Sequence, residues 1–154
     1  MKKTFLLLIL FVMTLGTQAQ ELHTKWTQTI KKINANEYDL ILTAKIDPGW
    51  HIYSMVKSIG DGAPNPTTIT FKKSAEYEVV GATKESKPIE ENDKMYDMKT
   101  SYFVGKAVFT TRIKLKTPGA ISIKGTYEYQ LCTDRACTFP PYEDFTFNIP
   151  AKKG

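Results

Sequence analysis

Apolar and polar residues alternate strictly along two segments of the chain, residues 37–46 and 107–115. Successive side chains of a β-strand point to opposite faces, so this alternation is typical of strands with one buried face. The apolar positions of the first segment are Tyr38, Leu40, Leu42, Ala44 and Ile46. An Asp-Pro-Gly triplet follows the first segment and a Thr-Pro-Gly triplet follows the second, and both favour turns.

The rest of the chain contains further short runs of apolar, aromatic or β-branched residues, and we predict about eight strands in total. Besides the two above, they cover residues 22–30, 50–53, 67–71, 76–80, 121–131 and 145–149. No window shows a helical period of useful length. Short strands separated by Pro and Gly turns predict an all-β protein, an antiparallel β-sandwich. We expect its core to contain Trp26, Trp50, Phe109, Tyr127, Tyr129, Phe145 and Phe147.

Two polar stretches interrupt the strand pattern, residues 57–66 and 85–100. Both contain proline and are predicted as loops, and long loops of this kind often carry function. The second contains an acidic cluster that we interpret as a solvated surface, formed by Glu85, Glu90, Glu91 and Asp93.

The N-terminal segment has the features of a secretory signal peptide. Lys2 and Lys3 precede an apolar run over residues 5–15, and the segment closes on small and polar residues ending at Ala19. We therefore predict a cleaved signal peptide over residues 1–19, one domain over residues 20–154, and a periplasmic or secreted location. The apolar run is too short to span a bilayer and no cysteine follows the cut, so no stable membrane anchor is expected.

Composition and charge exclude several classes of protein. With 42% hydrophobic and 24% charged residues, the chain resembles an ordinary globular domain rather than a disordered one. Lysine and arginine number 21 against 16 acidic residues, a net charge of +5 that falls to about +3 without Lys2 and Lys3. The remaining basic residues are scattered, which argues against nucleic-acid binding.

The two cysteines, Cys132 and Cys137, are separated by four residues and leave two interpretations open. Export permits a structural disulfide, but one closing so short a loop contributes only about 2 kcal/mol. Strand parity predicts that Cys132 shares the solvent face with Glu128 and Gln130, where a partner can reach its sulfur. An accessible disulfide of this kind suits thiol exchange. Arg135 between the cysteines favours a thiolate, and Asp134 beside it opposes that effect.

A zinc site is a weaker alternative for the same cysteines. His23 and His51 would complete four ligands, but the spacing matches no zinc module and nothing brings the histidines close. No set of residues typical of a hydrolase or transferase is present, and no cofactor is expected.

Four segments of the sequence resemble the N-terminal domain of the DsbD-type thiol:disulfide interchange proteins. The most specific is YQLCTDRACTFPP, and the others are GWHIYS, DGAPNPTTITF and DFTFNIP. The resemblance implies an immunoglobulin-like β-sandwich with a redox-active cysteine pair on a β-hairpin. It also implies electron transfer from a membrane-embedded and a thioredoxin-like domain to exported disulfide isomerases and cytochrome c maturation factors.

The resemblance also implies roles for individual residues. Cys137 would form the mixed disulfide with the partner, and Cys132 would resolve it. Residues 92–97 would form a cap loop over the disulfide, in which residues 93–97, with Asp93, Met95 and Tyr96, gate access. Further neighbours of the cysteine pair would be His51, Tyr53, Tyr129 and Arg135.

The chain departs from the best-known family member in three ways. It has one residue fewer between its cysteines, and Met95 stands where the cap of that member carries phenylalanine. It ends at Gly154, without the membrane and thioredoxin-like domains of full-length relatives, so thioredoxin-like or membrane-embedded partners are expected to act in trans. We predict a thiol:disulfide exchange module, a candidate protein-disulfide reductase. The alternative is a non-enzymatic β-sandwich binding module with a structural disulfide.

Overall fold

The computed structural model describes residues 22–151, which form antiparallel strands and no helix. The predicted signal peptide lies outside the described residues. None of the described segments is a helix that could cross a membrane. The strands are β1 (Thr24–Lys32), β2 (Glu37–Ile46), β3 (His51–Tyr53), β4 (Thr68–Phe71), β5 (Tyr77–Val79), β6 (Lys84–Glu85), β7 (Ile89–Asp93), β8 (Met98–Val104), β9 (Lys106–Leu115), β10 (Ile121–Glu128), β11 (Leu131–Cys132), β12 (Cys137–Thr138) and β13 (Glu143–Ile149).

Two sheets form the body of the domain. The first has the order β1-β2-β9-β5, with β6 also paired to β9, and the second has the order β13-β10-β4. The alternating segments lie where the pattern predicts: β2 buries every second residue from Tyr38 to Ile46, and β13 buries Phe145, Phe147 and Ile149. The apolar faces of the two sheets meet, which confirms the predicted immunoglobulin-like antiparallel β-sandwich.

Aromatic rings fill the space between the sheets. Trp26 of β1 stacks on Tyr127 of β10 at a centroid distance of 4.2 Å and on Phe109 of β9 at 5.8 Å. Five of the seven aromatic residues predicted for the core are buried, and Trp26 and Trp50 are half-buried against it. The core prediction is therefore confirmed.

A third sheet, β12-β11-β3-β8-β7, carries the cysteines at one end of the sandwich. Two features of this region differ from the sequence prediction. Residues 85–100 are not an irregular loop, because β7 and β8 form a β-hairpin with Asp93 opposite Met98. Residues 121–131 are not one strand either, because β10 ends at Glu128 and the chain crosses into the third sheet before β11.

Candidate functional site

Strands β11 and β12 form a hairpin in which Cys132 and Cys137 face each other and are joined by a disulfide. Its turn, residues 133–136, is closed by Thr133. The Thr133 amide donates to the Ala136 carbonyl over 2.8 Å, and the Thr133 hydroxyl accepts from the amides of Arg135 and Ala136. A threonine hydroxyl satisfying nearby amides is a common way to stabilise a tight turn. The local sequence thus holds the cysteines in register.

The two sulfurs differ in exposure, and the prediction that Cys132 lies on the solvent face is wrong. Cys132 is 0% exposed and Gln130 is 1% exposed, whereas Cys137 is half-buried. Parity relates two residues only while they stay in one strand, and the chain changes sheets between Glu128 and Leu131. In the new sheet Cys132 pairs with His51 of β3 and Cys137 of β12, and its sulfur contacts the buried Gln130 side chain at 3.3 Å. Access to the disulfide is therefore through Cys137.

The turn between β7 and β8, residues 94–97, lies over Cys137, and we call it the cap turn. Met95 Sδ is 3.4 Å from Cys137 Sγ, and the Tyr96 hydroxyl is 3.7 Å from the same sulfur. Asp93 shapes the turn, since its Oδ1 accepts the amides of Met95 and Tyr96 over 2.8 and 3.3 Å. Asp97 has a φ of 49°, a left-handed conformation that aspartate tolerates better than most residues.

A second hydrogen-bond chain fixes the cap turn to β3. The Tyr53 hydroxyl donates to Asp93 Oδ2 over 2.7 Å, and His51 Nε2 lies 3.2 Å from the same hydroxyl. Burial, followed by the hydrogen bond to Asp93, raises the pKa of Tyr53 above its usual range. Burial lowers the pKa of His51, which favours the neutral imidazole. Because the Tyr53 proton is directed to Asp93, His51 donates to Tyr53 through its Nε2 proton.

Gln130 also lies at the disulfide, although strand parity predicts it on the solvent face. Its Nε2 lies 3.3 Å from Cys132 Sγ and 2.5 Å from the Tyr96 hydroxyl, and its Oε1 accepts the Asn65 amide over 2.7 Å. The available signal was its place in the YQLC segment, two residues before the first cysteine. Gln130 thus connects the disulfide, the cap turn and residues 57–66.

Two other residues predicted near the cysteines make no side-chain contact to a sulfur among those described above. Tyr129 is buried and its hydroxyl lies 2.5 Å from Thr24 Oγ1, while its ring packs on Trp26. Arg135 is exposed in the turn of the β11–β12 hairpin. The structure thus brings His51, Tyr53, Asp93, Met95 and Tyr96 together at the disulfide, and it places Tyr129 in the core.

The two histidines that a zinc site would need have other partners. His23 stacks on Trp50 at 4.2 Å and lies 3.3 Å from Asp47, whereas His51 contacts Tyr53. Across residues 22–151, no group of three or more His, Cys, Asp or Glu side chains is arranged to hold a metal ion.

Reduction of the disulfide should leave the domain folded. The bond joins residues only five apart, so it restricts the unfolded chain little and contributes about 2 kcal/mol, less than the 5–15 kcal/mol typical of a domain. Thermal unfolding followed by circular dichroism with and without a reductant tests this. A cooperative transition should persist in reductant at a lower midpoint, and loss of the fold at room temperature would identify the bond as a structural staple.

Comparison with known proteins gives one family and a similar fold. The family described as "Thiol:disulfide interchange protein DsbD, N-terminal" matches residues 19–149. The N-terminal periplasmic domain of ScsB from Proteus mirabilis is similar, with a TM-score of 0.58 and 18% identity over 87% of this chain. The present chain spans only 49% of that structure.

A second solved structure is the Neisseria meningitidis DsbD N-terminal domain in the reduced form. Its TM-score is 0.48 at 14% identity, over 83% of this chain and 86% of that one. No significant match was found among curated proteins. The family match extends over the sandwich, both cysteines and the cap turn. This chain therefore belongs to the family of DsbD N-terminal domains.

Proposed function

We propose that this chain is an exported thiol:disulfide exchange module that passes electrons through Cys132 and Cys137 to or from thioredoxin-like or membrane-embedded partner proteins. One observation carries the proposal: the disulfide presents one sulfur, Cys137, under a small cap and keeps the other buried. A structural bridge has no need of such a cap. Family membership supports the same chemistry, and the signal peptide predicted for residues 1–19 supports a periplasmic or secreted location.

The exchange proceeds by thiolate attack on a disulfide. When the domain is oxidised, a partner thiolate attacks Cys137 Sγ, a partner–Cys137 disulfide forms, and Cys132 leaves as a thiolate. The partner's second thiolate then attacks the partner sulfur that is bonded to Cys137, which forms the partner's disulfide and releases the Cys137 thiolate. In the opposite direction, Cys137 attacks a partner disulfide and Cys132 resolves the mixed disulfide. Either direction transfers two electrons and needs no cofactor.

The surface around Cys137 supports a protein as the partner. Phe139 and Tyr142 follow the hairpin and are both exposed, and they line one cleft together with Pro140. Clusters of exposed aromatic side chains are typical of protein interaction sites. Met95 of the cap turn is a further exposed apolar side chain beside the sulfur. A docking protein can therefore contact Met95 beside Cys137 and the exposed aromatic residues that follow the hairpin in the chain.

The reduction potential of the Cys132–Cys137 pair tests the proposed function. The full chain is equilibrated with defined ratios of reduced and oxidised glutathione or dithiothreitol, and the free thiols are counted after alkylation. An exchange module should have a potential above about −300 mV, in the range of thioredoxin-like proteins. A value below that limit would contradict the proposal and would favour a binding module whose recognition loop is stiffened by a structural disulfide.

Removing the cap should speed attack by small thiols. We expect Met95→Ala/Tyr96→Ala to raise the rate of reduction by glutathione roughly fivefold, because both side chains lie within 4 Å of Cys137 Sγ and limit access to it. The equilibrium potential should change little, since shielding affects access more than the relative stability of thiol and disulfide.

Ile89 offers a matched control for the cap variant. It lies on the same hairpin in β7 and is 41% exposed, against 40% for Met95. Ile89 is at the end of β7 away from the cap turn, so Ile89→Ala removes exposed apolar surface without altering the turn, and its reduction rate should equal that of the wild type. If the double variant also reacts at the wild-type rate, the turn does not gate the disulfide.

A further inference from the structure

The side-chain amide of Gln130 is buried and fully engaged. Its Oε1 accepts the backbone amide of Asn65 over 2.7 Å. A backbone N–H can only donate, so this contact identifies the oxygen end of the amide and directs the nitrogen end towards Cys132 Sγ, 3.3 Å away. Gln130 is 1% exposed, so neither position is open to exchange with solvent. The donor is held against the sulfur in the oxidised protein.

Cys132 has a specific need for such a donor. In the exchange described above, Cys132 leaves as a thiolate, and its residue is 0% exposed. Burial disfavours a thiolate, because water no longer solvates the charge. The neighbouring strand offers His51 opposite Cys132, but burial favours the neutral form of that imidazole. A neutral hydrogen-bond donor directed at the sulfur can stabilise the thiolate charge in place of bulk water.

We propose that Gln130 is a catalytic residue of the exchange, and that its Nε2–H group stabilises the negative charge that forms on Cys132 Sγ as the disulfide opens. In this step the partner sulfur bonds to Cys137 Sγ, the Cys132–Cys137 bond breaks, and its electron pair stays on Cys132 Sγ facing the amide. The donor is in place before the reaction, so no reorganisation is needed when charge develops. This inference rests on the proposed exchange function.

The second Nε2 hydrogen connects this role to the cap. It is directed to the Tyr96 hydroxyl, whose own proton is left for Cys137 Sγ at 3.7 Å. One buried amide therefore contacts the leaving sulfur directly and the attacked sulfur through the cap turn. Hydrogen bonds to a charged acceptor are stronger than those to a neutral one, so the Cys132 contact should strengthen as the bond opens.

The ionisation of Cys132 tests the proposal without any partner protein. In a Cys137→Ala chain, Cys132 is the single thiol, and its pKa is read from the ultraviolet absorbance of the thiolate. Adding Gln130→Met, which keeps the length but removes the donor, should raise the pKa of the Cys132 thiol by about one, a tenfold loss in its ionisation constant. Tyr129→Phe is the matched control, since it removes a buried hydroxyl next to Gln130 that is bonded to Thr24. The control should leave the Cys132 pKa unchanged.

A measurement on the unmutated side chain covers the case in which Gln130→Met fails to fold. In the reduced wild-type chain, the side-chain amide resonances of Gln130 should move with pH at the midpoint at which Cys132 ionises. Gln130 resonances that do not shift at this midpoint would overturn the role of Gln130. A Cys132 pKa that Gln130→Met leaves unchanged would overturn it as well. Neither result depends on the reduction potential, so the role of Gln130 and the proposed exchange function are tested independently.

Discussion

A Cys132→Ser chain should capture a thioredoxin-fold partner in a stable mixed disulfide, whereas a Cys137→Ser chain should capture almost none. The first variant keeps the half-buried Cys137 sulfur and removes the thiol that would resolve the mixed disulfide. The second keeps only Cys132, which is 0% exposed and whose sulfur contacts the buried Gln130 side chain. Since a thiol must reach the partner's sulfur to react, we expect the two rates to differ by more than about tenfold.

The measurement uses a thioredoxin with a single active-site cysteine, activated as its nitrothiobenzoate disulfide. Attack by the variant releases coloured nitrothiobenzoate and leaves the two proteins joined, which a non-reducing gel displays. Alkylation in denaturant confirms that both variants contain one free thiol, and the Cys132→Ser/Cys137→Ser chain gives the background. Equal rates from the two single variants would remove the assignment of roles, though not the exchange function.

Gly125→Ala should destabilise the domain more than any surface change. Gly125 lies in the middle of β10, between Phe145 of β13 and Phe71 of β4. A Cβ atom there would fall 2.3 Å from Cζ of Phe145 and 2.3 Å from the carbonyl oxygen of Thr70. The ring is buried in the core and the carbonyl belongs to the backbone, so neither can move aside cheaply. We expect a loss of about 3 kcal/mol or more in the free energy of unfolding.

Thermal unfolding measures this loss, and Gly49→Ala is its control. At Gly49 an added Cβ meets nothing within 4 Å, but φ is +82°, so the substitution costs only the left-handed strain of about 1–2 kcal/mol. Gly125→Ala should lower the unfolding midpoint by on the order of 10 °C, clearly more than the control. An equal loss in both variants would mean that Phe145 and β4 adapt without much cost.

Much of the sandwich can be predicted from the sequence because its signal is local. β2 and β13 each have one face towards the core, so buried apolar residues alternate with more exposed, mostly polar residues along their sequences. The edge strand β7 lacks that signal, since four of its five residues are exposed and the fifth is half-buried. Its pairing with β8 comes from backbone hydrogen bonds, which leave no trace in the pattern of hydrophobic residues.

The candidate site also has features that the local sequence predicts and features that depend on contacts between distant segments. The sequence by itself determined the sandwich, the cysteine pair on a short turn, and the apolar Met95 and Tyr96 in a polar segment. Only the tertiary structure decided that Cys132 is the buried sulfur and that Gln130 faces it. The physical reason is that the chain leaves one sheet after Glu128 and enters another at Leu131. Alternation reports burial within one sheet, whereas these contacts depend on where a second sheet and a distant hairpin place their side chains.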